Sequence, residues 1–151
     1  EIEDYQVHNI NEVEKPIEES FALISDDSFE NKSKINLTPV IYRTSTTNPF
    51  ELEERFYPVD FGFQRFITQR INIAIPEGYK VINLPKDIGV KLPNKGGNYV
   101  FKVQNTDKEV KIYIRYQLAK KVFTSEEYFY LKEFYKKIIE AEKGLIEFQK
   151  I

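Results

Sequence analysis

Two runs of strict alternation constrain this chain most. Ile67, Gln69, Ile71, Ile73 and Ile75 fall on one side of an extended backbone, with Thr68, Arg70, Asn72 and Ala74 on the other. Val110, Ile112, Ile114, Tyr116 and Leu118 alternate in the same way with Lys111, Tyr113, Arg115 and Gln117. A period of two puts each apolar set on a single face. Such half-apolar strands belong to antiparallel sheets covered on one side. Shorter strands are expected at Tyr79 to Leu84, Ile88 to Leu92 and Tyr99 to Val103, with turn residues Pro76-Glu77-Gly78, Pro85-Lys86-Asp87 and Asn94 to Asn98 between them. Tyr5 to Asn9, Ile17 to Leu23 and Leu145 to Lys150 also read as strands. Short strands at regular spacing with turns between them predict a mainly β chain, an antiparallel β-sandwich.

The period changes once. Thr124-Ser125-Glu126-Glu127 is a capping box, with Phe123 and Tyr128 at the positions of a hydrophobic staple. Tyr128, Leu131, Phe134, Tyr135, Ile138 and Ile139 then form an apolar stripe at helical spacing. Gly144 stops it, and Lys143 suits its C-terminal end. One C-terminal α-helix over about 124–143, packed on the sandwich, is expected.

The densest stretch is Asn48 to Gly62. Asn48-Pro49 opens a turn, because proline drives the residue before it out of the helical region. From Leu52 the pattern predicts a strand with Arg55, Tyr57, Val59, Phe61 and Phe63 on one face and Phe56, Pro58 and Asp60 on the other. Pro58 cannot donate to a ladder, so the strand should run at an edge or bend there. Arg55, Tyr57, Pro58, Asp60 and Phe61 are the candidate structural or interface residues. The structural reading has Tyr57, Val59 and Phe61 filling the core, with Arg55 partly buried and paired to a carboxylate or to backbone carbonyls. The rival reading makes Arg55 and Asp60 a surface for a partner.

Composition narrows the function classes. The chain has 151 residues, 41% hydrophobic and 30% charged, which is enough for one domain, 1–151, with a real core. Its formal charge of −2 lacks the basic excess of a nucleic-acid surface. No apolar run is long enough for membrane insertion by a helix. There is no cysteine, so no disulfide, thiolate metal site or thiolate nucleophile can form, and the six glycines make neither a phosphate loop nor a dinucleotide fingerprint, so no cofactor is expected. His8, the one histidine, reads as a surface residue. Asp26, Asp27 and Glu30 lack calcium-loop spacing and read as a solvated turn. Asn31 and Asn36 head glycosylation triplets that matter only in a eukaryotic secretory pathway. The carboxylate pairs Glu53/Glu54 and Glu126/Glu127 are adjacent and should point apart, unlike a glycosidase pair. Outward tyrosines such as Tyr113 suit cross-strand pairing or stacking on a sugar. The chain begins at Glu1 and has no methionine, so it is expected to be a piece of a longer protein.

The run Asn48-Pro49-Phe50, then Glu54-Arg55-Phe56-Tyr57-Pro58-Val59-Asp60-Phe61-Gly62, then Ile75-Pro76-Glu77-Gly78-Tyr79 and Leu84-Pro85-Lys86, resembles a C-terminal domain of unknown function. That domain follows the transglutaminase-like core in exported bacterial multidomain proteins, and the likeness covers nearly the whole chain. The resemblance implies an immunoglobulin-like sandwich and a noncatalytic accessory role, with the upstream transglutaminase-like domains as partner. It also implies a periplasmic or cell-surface location. The Cys-His-Asp triad of that core has no counterpart here, so no catalytic residue carries over and the chain is not expected to be an enzyme. A carbohydrate- or surface-binding module, with a glycan or surface ligand, is the alternative.

Overall fold

A computed structural model describes residues 2–23 and 32–151. The described residues fall into two compact units, one ending at Lys32 and the other running from Ser33 to Ile151. The expected solvated turn at Asp26, Asp27 and Glu30, and the triplet at Asn31, lie outside the described residues.

The first unit is a hairpin of β1 (Ile2–His8) and β2 (Glu18–Leu23), running from Ile2 opposite Leu23 to His8 opposite Glu18. Asn9 adopts φ 61° after β1, and its side-chain amide donates to the Pro16 carbonyl at 2.9 Å, closing the loop.

The second unit is mainly β, antiparallel throughout, with one C-terminal helix, as the alternating runs and the capping box predict. Its largest sheet has the order β5 (Arg65–Ala74), β9 (Glu109–Leu118), β8 (Gly97–Asn105), β7 (Ile88–Lys91). β5 and β9 pair without a break from Arg65 opposite Leu118 to Ala74 opposite Glu109. The inward row of β9 is Val110, Ile112, Ile114, Tyr116 and Leu118, all buried, as the period of two requires. Tyr99 and Phe101 continue that core across β8. Gly97 starts β8 where a Cβ would stand 2.3 Å from the Gln117 carbonyl oxygen, so no larger residue fits without moving the strand.

A second sheet joins β3 (Lys34–Leu37), β11 (Ile146–Lys150) and β6 (Tyr79–Asn83), with β11 in the middle. It buries Ile35, Ile146 and Phe148. β3 was not apparent in the pattern, because four residues are too few to show a period. A two-residue pair joins β4 (Val59–Asp60) to β10 (Val122–Phe123).

The strand expected from Leu52 through Phe63 is therefore a correction, since only Val59 and Asp60 are extended and paired. The reason lies in the hydrogen bonds. The Leu52 carbonyl is taken by the Tyr128 hydroxyl at 3.0 Å and by Lys132 Nζ at 3.0 Å, not by a strand N–H. Pro58 offers no donor at all, and Gly62 turns the chain away at φ 76°.

Helix α1 (Tyr128–Glu142) follows a single 3-10 turn at Ser125–Glu127. The capping box is present, and the Glu127 carboxylate accepts the Thr124 N–H at 2.9 Å. Tyr128, Leu131, Phe134, Tyr135, Ile138 and Ile139 are buried as the stripe predicts. The helix lies on the inward face of the large sheet. Phe134 packs 6.2 Å from Tyr116 between ring centres, and the Tyr116 and Tyr135 hydroxyls meet at 2.7 Å. Burial, first of all, raises the pKa of both phenols, so both stay protonated at neutral pH.

Glu142 closes the last turn of α1 and is fully buried. It accepts from the Thr44 N–H at 2.8 Å, the Thr44 hydroxyl at 2.6 Å and the Tyr99 hydroxyl at 3.2 Å. Burial pushes its carboxyl above the ordinary glutamate range. The Thr44 and Tyr99 hydrogen bonds and the charge of Arg43 pull the other way and are outweighed. The negative end of the helix dipole disfavours ionisation here as well.

Two predictions follow from this packing. Leu131→Ala and Ile138→Ala each remove a fully buried side chain and should destabilise by about 2–5 kcal/mol in urea melts. Shifts below about 0.5 kcal/mol at both positions would mean that α1 is peripheral. The second concerns Glu142, which in the folded state holds a proton that the unfolded chain releases at lower pH. Its contribution is therefore full below the ordinary glutamate range and is lost as pH rises through the raised value. Glu142→Gln keeps an acceptor for Thr44 and cannot ionise, so stability across that window should fall less steeply with pH than in the parent chain. Equal slopes in urea melts at several pH values would contradict this assignment.

Candidate interaction surface

The stretch from Asn48 to Phe63 is a loop fixed at both ends. At its start the Asn48 side-chain oxygen accepts the Phe50 N–H at 3.0 Å, the turn that Asn-Pro predicts, and its amide donates to the Lys132 carbonyl at 2.9 Å. Phe50 is buried edge-on against Tyr128 at 5.6 Å and Tyr135 at 5.2 Å. Lys132 Nζ donates to the Glu51 carbonyl as well, at 3.3 Å. At the far end Val59 is buried opposite Phe123, and the Phe61 N–H donates to the Lys121 carbonyl at 2.8 Å. Phe61 is half-buried, edge-on to Phe123 at 5.7 Å.

Between these anchors the chain from Glu51 to Pro58 is exposed. Phe56 is 86% exposed and Tyr57 77%. The expectation that Tyr57 fills the core is corrected, because the strand alternation that would have turned it inward is absent. Arg55 is exposed too, and its Nε donates to the Tyr57 carbonyl at 3.2 Å, a backbone carbonyl rather than a carboxylate. Asp60 is exposed and accepts the Gly62 N–H at 2.8 Å, which stabilises the left-handed turn at that glycine. Pro58 is exposed at the tip's edge. Of the five candidate residues, Val59's neighbours Asp60 and Phe61 are held by the fold, whereas Arg55, Tyr57 and Pro58 are presented to solvent.

The aromatic display continues past the loop. Phe63 is 65% exposed and Phe66 61%. The Arg65 guanidinium sits 5.3 Å from the Phe61 ring centre and 5.2 Å from that of Phe63, joining the two rings by cation–π contact. Leu52, Phe129 and Tyr130 are further exposed apolar side chains, the last two edge-on at 5.7 Å. Single exposed rings are ordinary on a protein surface; several within one short stretch are not.

The other candidates lie apart from one another. His8 is exposed on β1. Glu53 and Glu54 stand in the exposed loop, while Glu126 accepts the Thr124 hydroxyl at 2.8 Å. Glu127 belongs to an open concavity beside the start of α1, lined also by Asn94, Lys120 and Tyr130. Burial works against its charge, but Lys120 at 2.5 Å, the Thr124 N–H and Asn94 together outweigh it and hold the carboxyl below the ordinary range. Among the described residues no group of three or more His, Cys, Asp or Glu side chains could hold a metal ion. No helix among them is long and apolar enough to cross a membrane.

Comparison with curated proteins and with solved structures finds no match to either. Comparison with protein families matches residues 33–148 to a domain of unknown function with solved structure, DUF3858. The matched segment takes in all of the second unit except its last few residues, including the anchored loop, α1 and both large sheets. The chain belongs to the DUF3858 family.

Proposed function

We propose that this chain is a noncatalytic accessory domain of an exported bacterial transglutaminase-like protein, and that the Leu52 to Phe63 loop holds it against a neighbouring domain of the same polypeptide. One observation carries the reading: Phe56 and Tyr57 are nearly bare between two ends that the core holds firmly. A loop anchored in this way loses little further entropy when its tip is buried, which favours association. Exposed phenylalanine and tyrosine are the side chains that dominate interface energetics. An immunoglobulin-like sandwich as the carrier of such a loop is part of the same proposal.

The test uses the reading frame upstream of Glu1, which should encode a Cys, His, Asp core. That region, produced separately, should bind this chain, and Phe56→Ala with Tyr57→Ala should abolish the association. The same pair should leave the melting curve within about 0.5 kcal/mol, as surface substitutions do. The domain alone should incorporate no amine above a buffer blank. An upstream frame without such a core, undiminished association of the double variant, or turnover by the isolated domain would each overturn the proposal.

A further inference from the structure

The large sheet has two unlike faces. Its inward face along β8 and β9 is the core under α1, and its outward face is fixed by the same register. Across four strands the outward rows carry Arg70, Lys91, Lys102, Lys111 and Arg115. Against these five cations stands one carboxylate, Glu109 at the start of β9, already ion-paired with Lys111 at 2.8 Å. Asp87, just ahead of β7, accepts the Val103 N–H at 2.8 Å. The chain as a whole has a formal charge of −2, so this is segregation of charge onto one face and not a matter of composition.

The two arginines have no carboxylate partner among the described residues. Arg70 lies over the Tyr113 ring at 5.7 Å, and Arg115 over the Phe66 ring at 5.2 Å. Stacking holds each planar guanidinium in place while leaving its charge unneutralised. Arg115 Nη2 donates to Gln117 Oε1 at 3.3 Å, and the Asn98 amide donates to that same oxygen at 2.9 Å. Arg115 Nε is buried with no hydrogen-bond partner. The Arg115 guanidinium is thus stacked on a ring and bonded to an amide oxygen, with no carboxylate against its charge.

We infer that this face binds an acidic polysaccharide, whose uronate carboxylates pair with Arg70, Lys102 and Arg115 and whose hydroxyls bond to the Asn98 and Gln117 amides. Charge complementarity supplies the first half of the assignment. The interleaving of amides and the Tyr113 hydroxyl with the cations supplies the second, because such a ligand carries hydroxyls between its carboxylates. An extended acidic peptide would be expected to pair its main chain with an edge strand rather than lie on a sheet face. A nucleic acid would need several open rings for its bases, whereas the Tyr113 ring is half-buried under the Arg70 guanidinium. The inference does not depend on the accessory-domain reading, since the residues are different.

The experiment is a calorimetric titration of the full chain with polygalacturonate at low ionic strength. Fully methyl-esterified polygalacturonate and polyglutamate serve as comparison ligands. Arg70→Gln with Lys102→Gln, both exposed and outside the core, should weaken binding about tenfold or more without shifting the melting temperature. Arg115→Gln, in a separate variant, should weaken it likewise. Binding should fall on esterification and as salt rises toward ~0.15 M, where the screening length is about 8 Å. No binding at low ionic strength, equal binding by the double variant, or indifference to esterification would overturn the inference. Polyglutamate binding as tightly as polygalacturonate would overturn it too, by giving the face to an acidic polypeptide.

Discussion

The fold of the second unit depends on how α1 is fastened to the sheet beneath it. Apolar packing alone would allow a helix to slide along an aliphatic surface. Two buried polar contacts remove that freedom, the Tyr116–Tyr135 hydroxyl pair and the Tyr99 hydroxyl on Glu142. Each must be satisfied where water cannot reach, so a small displacement of the helix would leave a buried donor or acceptor without its partner. Glu142 also reaches both the backbone and the side chain of Thr44, which ties the segment ahead of the loop to the same point.

With the helix fixed, the rest of the surface follows. The N-terminal half of α1 holds the start of the loop through Lys132 and Tyr128, and β10, just before the helix, holds its end. The chain between has nothing left to bury against, so its rings face outward. The sheet is divided in the same way. The face under α1 takes every large aliphatic side chain of β9, and the alternation then places Lys111, Tyr113, Arg115 and Gln117 on the other. The loop and the basic face are thus two consequences of one packing decision.

Much of this architecture was legible in the residues. Ile112, Ile114 and Tyr116 announce their strand because a buried face and a polar face leave a clean period of two. The capping box and stripe announce α1 because both depend on local spacing. Tyr57 misled for a physical reason. Alternation in a stretch containing Pro58 says nothing about whether the carbonyls find strand partners, and here the Leu52 carbonyl is bonded by side chains of α1. β3 was too short to show a period. Glu142 could have been found, since it lies four residues beyond Ile138 on the apolar stripe, and an acid at such a position asks for a buried partner. The outward basic face needed the register, because Arg70, Lys102 and Arg115 are far apart in the chain and share a surface only once β5, β9 and β8 are paired.

Native-state hydrogen exchange followed residue by residue tests the central claim most directly. If the polar contacts make α1 and the sheet one cooperative unit, amides of β8, β9 and the middle of α1 should exchange with a single, global free energy. Amides from Glu53 to Tyr57 should exchange with almost no protection. Exchange of the α1 amides through a separate opening, at a free energy well below that of β9, would contradict the account and leave the helix a loosely docked appendage.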